Sequence, residues 1–72
     1  MAQLSKFIPL YEQFNRKIFN YILYRISFDR ELAEDLTSEI FIKAYEHFDS
    51  YDETRPFQAW IYTIAHNHFM NY

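Results

Sequence analysis

The chain has 72 residues, with 8 phenylalanines, 7 tyrosines and 1 tryptophan, and it contains neither glycine nor cysteine. This length allows one domain, the missing cysteines exclude disulfides and thiolate metal sites, and the missing glycines exclude a phosphate-cradling loop. The formal net charge of −3 argues against a free-standing nucleic-acid binder, which would normally be basic.

The first predicted helix covers about residues 9–27. Apolar side chains recur there, mostly at spacings of three and four residues, and therefore share one face: Leu10, Phe14, Ile18, Tyr21, Ile22 and Ile26. Pro9 fits the first turn of a helix, where its missing N–H is tolerated. A start a few residues earlier, capped by Ser5, is an alternative that places Pro9 less favourably.

The second predicted helix covers about residues 29–48 and follows a very short connection, which favours an antiparallel arrangement with the first. Asp29 is the expected N-cap, and Glu31 adds a favourable acid in the first turn. The expected core side chains lie within an arc of about 120°: Ala33, Leu36, Thr37, Ile40, Ala44 and Phe48.

A polar surface loop is predicted over residues 49–55, and a third helix over about 56–71, with Thr54 or Arg55 as its cap. The inward stripe of this helix is Phe57, Trp60, Ile61, Ile64 and His68. Trp60 lies at the edge of the stripe, where we expect a mainly structural role. The pattern predicts an all-α fold, a compact three-helix bundle.

The second helix has an unusual outward face. Glu31, Asp35 and Glu39 follow one another at single-turn spacing, and Ile42 lies on the same side. Two interpretations stay open: a docking surface for a basic partner, or a solvated charged face with one stray isoleucine.

The outward face of the third helix carries rings and amides but little charge. Tyr62, Thr63, His66 and Met70 point away from the core stripe, and Asn67 and Phe69 lie on its borders. Such side chains suit stacking and base-edge contacts better than phosphate neutralisation. Alternatively, Tyr62 and Phe69 pack on the first helix.

The sequence offers no set of residues for catalysis, and we expect no enzyme activity, metal or cofactor. His66 and His68 point about 200° apart on a helix, so they cannot chelate one ion. We expect His68 to be a core histidine with a hydrogen-bond partner. Because no secretory signal and no apolar stretch of membrane-spanning length is present, we expect a cytoplasmic protein without membrane contact.

Four segments together resemble extracytoplasmic-function (ECF) sigma factors of the sigma-70 family. Residues 29–41 (DRELAEDLTSEIF) are similar to the family segment dreeAEDlvQEvF, and residues 56–67 (PFQAWIYTIAHN) to sFraWLytIArN. Residues 48–52 (FDSYD) are similar to hldrfd, and residues 11–25 to lyeryyprLyryarrrl. The blocks occur in order, and the resemblance covers about residues 9–71.

The resemblance implies a three-helix bundle of the sigma factor region 2 type (conserved domain 2, regions 2.1 to 2.4) over residues 1–72, with the helix-turn-helix domain 4 absent from this chain. In that family the second helix docks on the clamp coiled coil of the largest subunit of the RNA polymerase core. The matching positions are Asp35, Ser38, Glu39, Phe41 and Ile42.

The resemblance also implies recognition and melting of the −10 promoter element, with unpaired bases of the non-template strand held by the loop and the third helix. The matching positions are Ser50, Tyr51, Arg55, Trp60, Thr63, His66 and Asn67. An alternative function is a protein-interaction module that binds an anti-sigma factor or another regulator without DNA contact.

This chain departs from the family pattern at three positions. Ser38 stands where glutamine is usual, His66 where arginine is usual, and Asn71 where aspartate is usual. We expect a neutral His66 to weaken a phosphate contact there.

Overall fold

The computed structural model describes residues 2–71 as three α-helices joined by short connections. These are α1 (Ala2–Arg25), α2 (Arg30–Glu46) and α3 (Phe57–Met70), with a single 3-10 turn at Phe48–Ser50. The described residues contain no strand, so the predicted all-α three-helix fold is confirmed. None of the helices in this range combines the length and the apolar character needed to cross a membrane.

The first helix begins at Ala2, so the predicted start near residue 9 is wrong. Pro9 lies inside α1 and cannot donate a backbone hydrogen bond there. Phe7 explains why the helix continues through this position. Its ring is 6% exposed and makes edge-to-face contacts with Phe48 at 5.1 Å and Tyr45 at 5.3 Å between centroids. Each such pair contributes about 0.5–1.5 kcal/mol beyond the buried area, against a cost of about 3 kcal/mol for a proline inside a helix.

The turn between α1 and α2 bends the chain without a glycine. Ser27 and Phe28 both occupy the left-handed region, with φ of 58° and 64°. The N–H of Phe28 donates to the carbonyl of Leu23 at 3.1 Å, the long bond of a Schellman C-cap. The carboxylate of Asp29 then accepts from the N–H of Leu32 at 3.1 Å. The predicted N-cap is therefore confirmed, and the turn is fixed from both sides.

The connection between α2 and α3 differs slightly from the prediction. The second helix ends at Glu46, and Phe48 enters the core from the 3-10 turn rather than from a helix. The third helix begins at Phe57, and its N-cap is Pro56, with φ of −61° and ψ of 131°. The two residues named as caps therefore lie in the loop.

The core is built from one face of each helix and from the ring of the 3-10 turn. Its buried apolar side chains are Phe7, Phe14, Ile18, Ile22, Leu23, Ala33, Leu36, Ile40, Phe41, Ala44, Phe48, Phe57, Ile61 and Ala65. The predicted stripe of α2 is buried throughout, including Thr37, whose hydroxyl donates to the carbonyl of Ala33 at 2.7 Å. Because all three helices share this core, their outward faces are held in fixed relation.

Candidate functional site

The outward face of α2 carries most of the residues matched to polymerase binding. Asp35, Ser38 and Glu39 are exposed, and Ile42 keeps 59% of its surface exposed beside them. We call these four residues the α2 face. Phe41 differs because it is only 4% exposed. Its ring is part of the core beneath this face, and it exposes little surface that a partner could contact.

An apolar groove of about 530 Å³ lies between the first turns of α1 and the α2 face. We call it the α1–α2 groove, and its lining residues are Leu4, Phe7, Ile8, Tyr11, Ser38, Phe41, Ile42, Tyr45 and Glu46. Leu4, Ile8 and Tyr11 are exposed hydrophobic side chains that the sequence interpretation missed. Leu4 and Ile8 were missed because the helix was expected to begin near residue 9, and Tyr11 because it lies off the apolar stripe that was named for that helix. The α2 face therefore continues into an apolar surface.

The loop before α3 is folded around the carboxylate of Asp52. The hydroxyl and the N–H of Thr54 both donate to Asp52 Oδ1, at 2.6 and 2.9 Å. The hydroxyl bond, followed by the backbone bond, holds the pKa of Asp52 below its ordinary value, because both bonds favour the charged form. The hydroxyl of Tyr51 donates to the carbonyl of Arg55 at 2.6 Å and closes the loop.

This loop and the first turns of α3 enclose a cleft of about 400 Å³. We call it the loop cleft, and its lining residues are Ser50, Tyr51, Asp52, Arg55, Pro56, Ala59, Trp60 and Thr63. Most of the residues matched to unpaired bases therefore meet around one concave surface. The hydroxyl of Thr63 donates to the carbonyl of Ala59 at 2.9 Å, which fixes one wall of the cleft.

Two rings form the apolar wall of the loop cleft and also pack on the core. Tyr51 is half-buried and stacks on Phe48, with ring centroids 5.8 Å apart and an angle of 13° between the planes. Trp60 is half-buried as well and lies 5.1 Å from Tyr51 and 5.5 Å from Phe57. Trp60 therefore packs on the core, as its place at the edge of the predicted stripe indicates. The planes of Tyr51 and Trp60 are inclined by 44°, so the cleft presents two tilted ring surfaces, and aromatic side chains are the groups on which nucleobases stack.

The other two matched residues lie outside the loop cleft. Nδ1 of His66 is 3.4 Å from the hydroxyl of Tyr21 on α1, so this side chain faces the α1–α3 seam. Asn67 lines a separate depression of about 400 Å³ between α2 and α3. The remaining lining residues of this depression are Lys43, His47, Ile64, His68 and Asn71. The α3 face is therefore divided into a ring-walled cleft, a polar depression and a seam.

A hydrogen-bond partner was predicted for His68, and the structure shows that this partner is a residue of the α2 face. Nε2 of His68 lies 2.7 Å from Oε1 of Glu39. His66 and His68 thus have different partners on different helices. Among the outward rings of α3, Tyr62 and Phe69 are half-buried and pack against the core. Tyr62 contacts Tyr21 of α1, so the interpretation that it packs on the first helix holds, whereas Phe69 packs on the core as a whole.

Comparison with known proteins places the sequence in a family. The Sigma-70 region 2 family model matches residues 10–72. The ECF RNA polymerase sigma factor BldN of Streptomyces coelicolor is 41% identical over 67 residues, covering 92% of this chain and 25% of that protein.

Two proteins of Bacillus subtilis are similar over nearly the same part of the chain. The ECF RNA polymerase sigma factor SigM is 33% identical over 63 residues, covering 88% of this chain and 37% of SigM. The RNA polymerase sigma factor YlaC is 38% identical over 63 residues, covering 88% of this chain and 36% of YlaC. The chain thus spans between a quarter and two fifths of these curated relatives, and no solved structure matches it significantly. The chain belongs to the Sigma-70 region 2 family, in its extracytoplasmic-function branch.

Proposed function

We propose that this chain is the part of a transcription initiation factor that docks on bacterial RNA polymerase core and holds unpaired bases of the −10 promoter element. The observation that carries the proposal is the loop cleft, because residues from the loop and from α3 meet there around two rings. A base that has left the duplex is held by stacking and by polar edges, and the loop cleft offers both.

The α2 face is the proposed polymerase-docking surface, with the clamp coiled coil of the largest subunit as its partner. Asp35 and Glu39 offer negative charge to a basic helix, but an exposed ion pair contributes only about 0–1 kcal/mol. The adjoining α1–α2 groove supplies the apolar surface that an ion pair lacks, at about 25 cal/mol per Å² buried. Charge then sets the orientation of the partner, and burial provides most of the affinity.

The energetics of base holding explain why such a module works inside a larger complex. Unstacking a base costs a few kcal/mol, and stacking on an aromatic side chain returns about 1–3 kcal/mol. The α3 sequence contains no lysine or arginine to add phosphate contacts. We therefore expect the free chain to bind −10 DNA weakly, and the polymerase to supply most of the positive charge.

A crossed pair of variants tests the α2 face and the exposed face of α3. The full chain is combined with core polymerase and a fork oligonucleotide whose non-template −10 strand is unpaired. Asp35→Arg should weaken core binding at unchanged helix content, while Glu34→Arg, the same charge change on the neighbouring exposed residue, should retain it. Asn67→Ala should retain core binding and weaken fork binding. Unchanged docking of Asp35→Arg, or tight salt-insensitive binding of the free chain to random duplex DNA, would overturn the proposal.

The α1–α2 groove favours a second candidate function, a module that binds an anti-sigma factor or another regulator without touching DNA. Its exposed apolar side chains, Leu4, Ile8 and Ile42, form the kind of contiguous patch that protein partners cover. Fork binding in the presence of core polymerase separates the two functions. Base-dependent binding supports the first, and its complete absence favours the second.

A further inference from the structure

Four side chains form a continuous array across the seam between α1 and α3. The guanidinium carbon of Arg25 lies 3.8 Å from the centroid of the Tyr21 ring. Tyr21 contacts Tyr62 edge-to-face, with centroids 5.2 Å apart and an angle of 86°. Its hydroxyl lies 3.4 Å from Nδ1 of His66. We call Arg25, Tyr21, Tyr62 and His66 the seam array, and none except His66 was matched to a function.

Arg25 is held in place but is not neutralised. One of its terminal nitrogens, Nη1, donates to the carbonyl of Tyr21 at 3.0 Å, and its guanidinium carbon lies over the Tyr21 ring. Within residues 2–71 the ion pairs are Lys6–Glu53, Arg55–Asp52 and His68–Glu39. Arg25 is in none of them, and it is exposed. A guanidinium that is fixed on a ring and keeps free N–H groups is suited to bidentate recognition of an oxyanion.

The position of the array indicates which oxyanion it takes. Arg25 is joined through Tyr21 to His66, on the helix that lines the loop cleft. That helix has no lysine or arginine of its own, and Arg55 in the loop is 3.8 Å from Asp52. On α1, Lys17 lies over the Phe14 ring at 5.3 Å and Arg25 over the Tyr21 ring at 3.8 Å, and of these two rings Tyr21 is the one whose hydroxyl approaches His66 on α3. Phosphate and stacked rings are the usual combination of contacts to a single nucleic-acid strand.

We propose that Arg25 binds a backbone phosphate of the promoter strand and that the seam array extends the DNA-binding surface from α3 onto α1. This inference rests on the proposed function, because it takes the α3 side of the molecule to face DNA. The contact is independent of sequence, since a phosphate carries no base identity. Arg25 therefore contributes to affinity and to its salt dependence, and leaves the −10 preference to the loop cleft.

The test measures how salt weakens the complex of full chain, core polymerase and fork oligonucleotide. Arg25→Gln should lower the slope of log affinity against log salt by about 0.7–0.9, the contribution of one phosphate contact. It should weaken binding by a similar factor for every −10 sequence. Arg25→Lys, which keeps the charge, should retain most of the slope. Arg16→Gln is the matched control, because nine residues place Arg16 on the opposite side of α1, and it should retain the wild-type slope.

Each outcome decides between specific alternatives. A wild-type slope for Arg25→Gln, or an equal loss for Arg16→Gln, overturns the inference while the −10 preference of the wild type still supports the proposed function. Loss of core binding by Arg25→Gln at an unchanged DNA slope would mean that the array binds an acidic protein surface instead. Absence of −10-dependent binding in the wild type would overturn both proposals. Circular dichroism at the assay temperature shows that each variant is folded.

Discussion

Glu39 and His68 form a direct link between the α2 face and α3, with 2.7 Å between Oε1 and Nε2. The side chain of Glu39 is 57% exposed and that of His68 is 18% exposed, so one partner of the bond is solvated and the other is largely shielded from solvent. A residue matched to polymerase docking is therefore already oriented by the helix matched to promoter contact.

We expect this link to stabilise the packing of α2 against α3 by about 0.5–1 kcal/mol, a modest value because one partner is exposed to solvent. A double-mutant cycle with Glu39→Ala and His68→Ala, measured by urea unfolding, gives the coupling energy. The cycle of Glu34→Ala with His68→Ala is the control, because Glu34 is an exposed residue of the same helix. Equal coupling energies in the two cycles would contradict the prediction.

Filling the loop cleft should block base holding without disturbing polymerase docking. Ala59 is exposed and lines the cleft, so Ala59→Phe places a ring in the space of about 400 Å³. We expect at least a tenfold loss of fork binding in the presence of core polymerase, at unchanged core affinity. Gln58→Phe adds the same ring at the neighbouring exposed position, outside the cleft lining, and should bind like the wild type. If both variants bind the fork equally well, bases do not enter this cleft.

The α1–α2 turn should become more stable when a glycine is introduced. Ser27 has a φ of 58°, where a side chain is unfavourable, so Ser27→Gly should raise the free energy of unfolding by about 1 kcal/mol. For a domain of this size that corresponds to roughly 4–8 °C in Tm. Ser38→Gly, in the middle of α2, should lower Tm instead, because glycine weakens a helix interior. Thermal unfolding of the two variants in parallel checks the sign of both changes.

The carboxylate of Asp52 should titrate at lower pH than an ordinary aspartate, because Thr54 donates two hydrogen bonds to its charged form. A pKa lowered on folding stabilises the folded state above the unfolded pKa of about 3.9. That contribution is lost as the pH falls through the folded pKa. Thr54→Val should raise the pKa of Asp52 towards its ordinary value, and Thr54→Ser, which keeps the hydroxyl, should not. Carboxyl NMR titration measures the difference, and identical titration curves for the two variants would contradict it.

Local patterns were enough to predict the helices and most of the core. The α2 stripe and the Asp29 cap follow from a 3.6-residue period and from one side-chain hydrogen bond, both encoded by neighbouring residues. The start of α1 could not be predicted this way. It depends on Phe7 contacting rings more than 30 positions away in sequence, whereas Pro9 gives a strong local signal against it.

In the candidate site, too, features set by neighbouring residues could be predicted and features set by contacts between elements could not. The exposure of Ile42 on an acidic face follows from helix geometry alone. The burial of Phe41 and the ring packing of Tyr51 depend on contacts between elements, which spacing does not reveal. The place of Arg25 in the seam array could not be predicted for the same reason, since only the folded chain brings it to the helix that carries His66. The roles of the matched residues stay predictions until the variants above are measured.

The continuous α1 has a mechanical consequence. Its 24 residues extend about 36 Å at 1.5 Å per residue, which equals the longest dimension of the described molecule. Its first turns line the α1–α2 groove, and its last turn carries Arg25. The ring core lies between these two ends, and the chain has no glycine to act as a hinge. The distance between the α1–α2 groove and Arg25 is therefore fixed by the length of α1. In the proposed complex, the docked polymerase would then set where along the promoter the strand is opened.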